Sequence, residues 1–208
     1  MKHLVKGSFI TAALAVLFLS AIATSAQRSV EAEYKRLVAL GKQLEKIPIE
    51  RQDREPHKSF IKRNKKDIVY SEPAGQWFVN SDRYWDLAKK NKKLPIADDI
   101  AWTAANTPIP GECEGYLNCY VFNSSVTLGE YLRMFPAGKH SKKAVAQFVE
   151  WTAPMTAADA KSTYDGPTDD TEKVELKKMI GELRDTFAKV KGSGEATSLL
   201  DKLSEMYK

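Results

Sequence analysis

The sequence predicts an all-α protein of about eight helices, with at most one small β-hairpin near residues 68–79. Three observations lead there. Apolar residues recur three and four apart through most of the chain, the period of a helix with one buried face. Proline and glycine separate those stretches, at Pro48, Pro95, Pro136, Gly138, Pro154 and Gly192. Only IVYSEPAGQWFVN, residues 68–80, sets two β-prone triplets around a turn.

In chain order, Ser29 is an N-cap candidate, and Val30, Tyr34, Leu37, Leu44 and Ile47 mark a helix that Pro48 ends. The charged stretch 50–67 carries a thin apolar stripe, Phe60 and Ile61, and predicts a helix over 57–67. Residues 68–79 read equally as a hairpin or as an extended loop packed on helices, because a lone two-stranded hairpin is marginal in water. Asn80 or Ser81 then caps a helix, and Pro95 begins another in which Ile96, Ile100 and Ala104 share a face. Pro108 and Pro110 make TPIPGEC a rigid connector. One long helix follows, from Leu117 to Phe135, and Ser141 caps the next. Residues 154–168 read as a loop with a single helical turn. Thr168 or Asp169 caps an amphipathic helix through Leu176, Ile180, Leu183, Phe187 and Val190, and Leu199 to Met206 make the last.

The N-terminus carries a targeting pattern. Lys2 and Lys6 precede an apolar run, Phe9–Leu19, and small residues end in Thr24-Ser25-Ala26. This predicts a signal peptide over 1–26 that is cleaved after Ala26, and an exported product, periplasmic or secreted. Loss of 26 of the 208 residues leaves 182, and the net charge falls from +5 to +3 with the two lysines. That mild excess argues against nucleic acid as partner, and no later run is apolar enough to span a bilayer.

Export decides how the two cysteines read. Cys113 and Cys119, in GECEGYLNCYVF, predict a disulfide in an oxidising compartment. Residues six apart on one helix are about 9 Å apart along its axis, so Cys113 must precede the helix that carries Cys119. A metal site needs more ligands than His57 and His140 offer, and the C-x-x-C spacing of a redox dithiol is absent, so neither metal nor cofactor is expected.

The stretch EYLRMFPAGKHSKKAVAQF, residues 130–148, resembles the junction between tetratricopeptide-like repeats of bacterial envelope proteins, on Phe135, Pro136, Gly138, His140 and Ala144. Pro95 and Pro136 repeat the helix-proline-helix order 41 residues apart, against a regular period of about 34. Residues 68–144 also resemble a family of exported bacterial proteins that brings no activity with it. The resemblance implies an array of helical hairpins. The division is then an N-terminal helical arm at 29–67, a tetratricopeptide-like core at 68–153 holding the disulfide, and a C-terminal helical hairpin at 168–208.

Catalytic motifs are missing: no G-x-S-x-G, no H-E-x-x-H and no phosphate-cradling G-x-x-x-x-G-K-[ST]. The acids Glu72, Asp98, Asp99, Glu112 and Glu114 leave room for carboxylate chemistry, and read more simply as solvation and capping. Asp165, Asp169, Asp170 and Glu172 lack the spacing of a calcium loop and fit helix capping. Lysines cluster at 58–66, 89–93 and 139–143, as solvated faces or as sites for an anionic glycan. Aromatics crowd residues 70–120, and Tyr70, Trp77 and Trp85 beside Glu72 and Arg83 are the candidate ligand-binding residues. The expected function is non-enzymatic recognition of a protein or peptide in the cell envelope. The alternative is a glycan-binding or glycan-cleaving envelope protein that uses the 68–120 window.

Overall fold

The computed structural model describes residues 27–207. The signal-peptide reading falls on residues 1–26, outside the described residues. The chain is mostly helical, with one two-stranded antiparallel sheet.

Helix α1 spans residues 27–44 and runs through Ser29, which therefore does not cap it. Val30, Leu37, Leu40 and Leu44 form its buried stripe. Helix α2 (His57–Asn64) stops one turn short of the predicted end. Strands β1 (Ile68–Ser71) and β2 (Gln76–Val79) follow, with Ile68 opposite Val79 and Tyr70 opposite Trp77. A free hairpin of this size would be marginal. Here Ile68 and Val79 are buried against the helices. The turn is also braced from outside, where the Gln52 side-chain amide donates to the Gly75 carbonyl at 2.7 Å. Of the two readings of 68–79, the hairpin is the one observed.

Helices α3 (Ser81–Lys90) and α4 (Ile96–Ala105) pack closely on each other. Asn80 caps α3 by accepting from the Asp82 N–H at 3.0 Å. The segment drawn above as an arm shares its core with the rest, because a single apolar cluster reaches from Val30 on α1 to Ile61 on α2 and on to Leu203 near the C-terminus. Polar ties reinforce the joint. The Tyr34 and Thr103 hydroxyls lie 2.6 Å apart. Asp67, 1% exposed, sits 2.9 Å from both Arg36 of α1 and Arg83 of α3.

The long helix predicted over 117–135 is interrupted. Helix α5 (Leu117–Ser124) passes into a π-helical turn, Ser125–Gly129, and continues as α6 (Glu130–Met134). A Cβ on Gly129 would lie 2.8 Å from a Leu183 methyl, so a neighbouring helix seats directly on this turn. After α6, the Phe135–His140 turn leads to α7 (Ser141–Thr152). Ser141 opens that helix from within its first turn, donating to the carbonyls of Phe135 and Gly138. A 3₁₀ turn at Pro154–Thr156 and a short α8 (Ala160–Thr163) fill the predicted loop.

Asp169 caps α9 (Asp170–Phe187), accepting from the Glu172 N–H at 2.9 Å, while Glu172 reaches back to the Thr168 N–H at 2.6 Å. Asp169 and Glu172 are thus spent on a helix cap, as their spacing suggests. Helix α10 (Gly194–Met206) folds back on α9 and packs on α7, and α9 packs on α5. Leu176, Leu183, Phe187, Leu200 and Leu203 fill that interface.

Candidate ligand-binding cleft

The disulfide is present as the spacing requires. Cys113 lies ahead of α5, Cys119 lies within it, and their Cα atoms are 5.3 Å apart. Glu114 and Gly115, with φ of +45° and +86°, let the chain reverse between the cysteines, and Gly111, at +105°, turns it just ahead of them. The loop is pinned to the 157–168 segment through paired backbone bonds of Gly115 and Leu117 with Asp165, both 2.9 Å.

The five candidate residues of the aromatic window do not form one site. Tyr70 and Trp77 pair across the hairpin with ring centroids 5.2 Å apart, and the Lys65 ammonium stands 4.5 Å from the Trp77 ring. Tyr70 is 40% exposed. Glu72 is exposed in the turn between the strands. Arg83 is committed to Asp67, and Trp85, 7% exposed, belongs to the core. Asp98 and Asp99 serve the Phe135–His140 turn instead. Asp98 accepts from the Tyr131 hydroxyl at 2.6 Å and from the Lys139 N–H at 2.8 Å. Asp99 pairs with the Lys139 ammonium and with His140 Nε2, the latter at 2.8 Å. Burial opposes ionisation of Asp99, but the bonds from Lys139 and His140 outweigh it and hold its carboxyl below the ordinary range. His140 also stacks on Trp102, with centroids 5.1 Å apart. Among the described residues, no group of three or more His, Cys, Asp or Glu is placed to hold a metal ion.

The proline-stiffened connector 106–110 is where the surface opens. Asn106, Thr107 and Pro108 are shared by two clefts, of about 490 and 350 Å³. Ile109 is shared by the first and a third, of about 540 Å³. The third cleft is charged, with Asp82, Lys89, Glu130 and Arg133 on its wall. Glu130 lies 2.8 Å from Lys89 and 3.0 Å from Arg133, so these three charges are satisfied within the wall. The first cleft differs in kind: no charged residue lines it. The end of α4, the connector, α5, the π turn and α7 converge there.

Three carboxamides, Asn106, Asn123 and Gln147, and three aliphatic hydroxyls, Thr107, Ser124 and Thr127, supply polar atoms, and Tyr120, Tyr164 and Trp151 supply aromatic rings, the two tyrosines with a hydroxyl each. Tyr120 and Tyr164 pack edge to face at 5.5 Å. Trp151, 42% exposed, stands at the mouth. The disulfide borders this cleft through Asn123, whose amide nitrogen lies 3.3 Å from Cys113 Sγ and 3.9 Å from Cys119 Sγ.

Sequence reasoning missed Asn106, Asn123, Gln147, Trp151 and Tyr164. Two signals were there to use. Asn123 stands four residues after Cys119, hence on the same helix face. Trp151 is a large apolar residue off the Ala144, Val145, Phe148 and Thr152 face of α7.

Compared with protein-family models, curated proteins and solved structures, the chain matches none. Its class therefore rests on its own architecture: a mostly helical protein with one two-stranded hairpin, a disulfide-braced loop, and an uncharged cleft beside that loop.

Proposed function

We propose that this chain is an exported, non-enzymatic recognition protein of the cell envelope, and that the cleft beside the disulfide receives a short uncharged peptide segment of a partner protein. The observation that carries the reading is the cleft's composition, with carboxamides and hydroxyls set among aromatic rings and no ionisable carboxylate or amine on the wall. Its volume falls in the range of ordinary ligand pockets, roughly 300–1,000 Å³. A peptide backbone is uncharged, polar at every residue and flanked by apolar side chains, so it matches such a wall. Acid–base chemistry at this place would fall to the Tyr120 and Tyr164 phenols alone, since no carboxylate, imidazole or amine lines the wall. The signal-like N-terminus and the cystine support export, and the resemblance of 130–148 to tetratricopeptide-like junctions supports a role in binding proteins.

A second reading rests on the hairpin. Tyr70, Trp77 and Lys65 form an aromatic and basic face suited to an anionic glycan.

A photo-crosslinking residue at position 151, in cells that export the protein, tests the proposal against the same residue at Val174, 66% exposed on α9. Discrete polypeptides cross-linked from 151 and absent from 174 are expected, on a chain whose N-terminal residue is Gln27. Equal labelling from both positions, or none, contradicts the reading.

A further inference from the structure

We propose that the protein carries a second binding site, a basic pocket between the end of α1 and α2 that takes a phosphate monoester. It is separate from the cleft beside the disulfide and does not depend on the peptide reading.

Charge balance singles the pocket out. Of four clefts on the described surface, the first has no charged residue on its wall. The second sets Lys42 against Glu45, and the third sets Lys89 and Arg133 against Asp82 and Glu130. The fourth, of about 320 Å³, has Lys46, His57 and Arg63 on its wall and no carboxylate. Among the described residues, none of these three side chains forms an ion pair. The acids nearest in sequence, Glu45, Glu50, Asp53 and Glu55, all stay off the wall. Glu55 instead accepts from the Ser59 hydroxyl at 2.8 Å.

The sequence of α2 adds to the excess. From His57 to Lys66 the chain has four lysines, one arginine and no acid. Lys58 and Lys62 stand four apart on α2, a spacing at which like charges repel. An anion in the pocket lowers the positive potential that these side chains build up together.

The wall also sets the kind of anion. Lys46 and Arg63 bring two full charges, and a guanidinium offers a planar fork of N–H donors that matches phosphate oxygens. His57 adds an imidazole, which donates from a protonated ring nitrogen. A phosphate monoester carries close to two negative charges at neutral pH and three acceptor oxygens, so it answers this set. A carboxylate brings only one charge. The remaining apolar wall, Ile47, Pro56 and Phe60, suits the carbon side of an ester better than a free ion. Ile47 is buried and Phe60 half-buried, so this surface is held in place by the fold.

The soluble probes are phenyl phosphate and benzoate, and the lipid probe is phosphatidylcholine vesicles containing phosphatidic acid. Binding to the full mature chain is measured at low salt, by calorimetry for the first two and by co-sedimentation for the vesicles. The variants are Lys46→Gln and Arg63→Gln, both at exposed positions, with Lys178→Gln on α9 as a control of equal charge. The expected result is one phenyl phosphate per chain, bound more tightly than benzoate. Each of the first two variants should bind it about tenfold more weakly, the loss of one charge-assisted hydrogen bond, and Lys178→Gln should bind it as the parent does. The same pattern across the variants on vesicles, without binding of phenyl phosphate, upholds the site and places the monoester on a lipid headgroup. Binding of neither phosphate probe, equal weakening in Lys178→Gln, or benzoate bound as tightly as phenyl phosphate overturns the proposal.

Discussion

Gly138 shows how much one residue settles. A Cβ there would meet Asp98 Oδ2 and the Tyr131 hydroxyl at 2.7 Å and the Phe135 Cβ at 2.8 Å. The sequence marks Gly138 as a turn residue, and the structure adds a reason it could not supply: the glycine leaves room for a polar network from another helix. Gly138→Ala is expected to cost about 1–3 kcal/mol by overpacking, read as a lower urea midpoint with an unchanged slope. Asp67 is the complementary case. Its carboxylate is buried between two arginines that are each about two-fifths exposed. Asp67→Asn is expected to cost about 1–3 kcal/mol, below the value for a fully buried pair, because the arginines regain water. Sequence patterning had no access to this site, since an acid at the end of a lysine-rich stretch reads as solvated.

Among the elements, the helices with uninterrupted apolar periodicity were legible and the irregular joints were not. The stripe Leu176, Ile180, Leu183 and Phe187 marks α9, which ends there, and Val190, just past its end, is buried with them. The π turn at Ser125–Gly129 leaves no mark in the sequence, because an inserted residue keeps the apolar spacing nearly intact on both sides. What the turn achieves is positional, since it lets Gly129 meet Leu183 and places Thr127 on the cleft wall. Leu183→Ala is expected to cost about 2–5 kcal/mol in urea unfolding, because it opens a cavity at the α9 contact with this turn. The cleft was illegible for a related reason. Its polar residues come from the connector, α5, the π turn and α7, and their convergence depends on how helices pack, which no local pattern encodes. The hairpin residues singled out from composition are real neighbours only in part, as Tyr70 with Trp77.

At the scale of the whole molecule, charge and covalent closure set the conditions for folding. Asp99 and Glu130 are both held below the usual carboxylate range; burial opposes this, and the bonds from Lys139 and His140, and from Lys89 and Arg133, overcome it. A depressed folded pKa stabilises above the unfolded value, about 4, and the contribution is lost as pH falls through the folded value. Stability should therefore drop below about pH 4, and Asp99→Asn should flatten that slope. Burial, with Tyr34 nearby, pushes the Tyr84 phenol from 10.0 to about 12, so its contribution is present below pH 10 and lost as pH rises toward 12. Reduction of Cys113–Cys119 is expected to lower stability by about 2–3 kcal/mol, the value of a short closed loop, read as a lower urea midpoint.

The central claim is that the ligand enters beside the disulfide and not at the hairpin. Four tryptophans, one of them Trp77 on the hairpin and another Trp151 at the cleft mouth, give four indole N–H signals in a ¹⁵N-labelled sample. Titration with a pool of short N-acetylated, C-amidated peptides of uncharged residues should move the Trp151 signal saturably and leave Trp77 in place. Movement of Trp77 with Trp151 unchanged would contradict the account and return the site to the aromatic face of the hairpin.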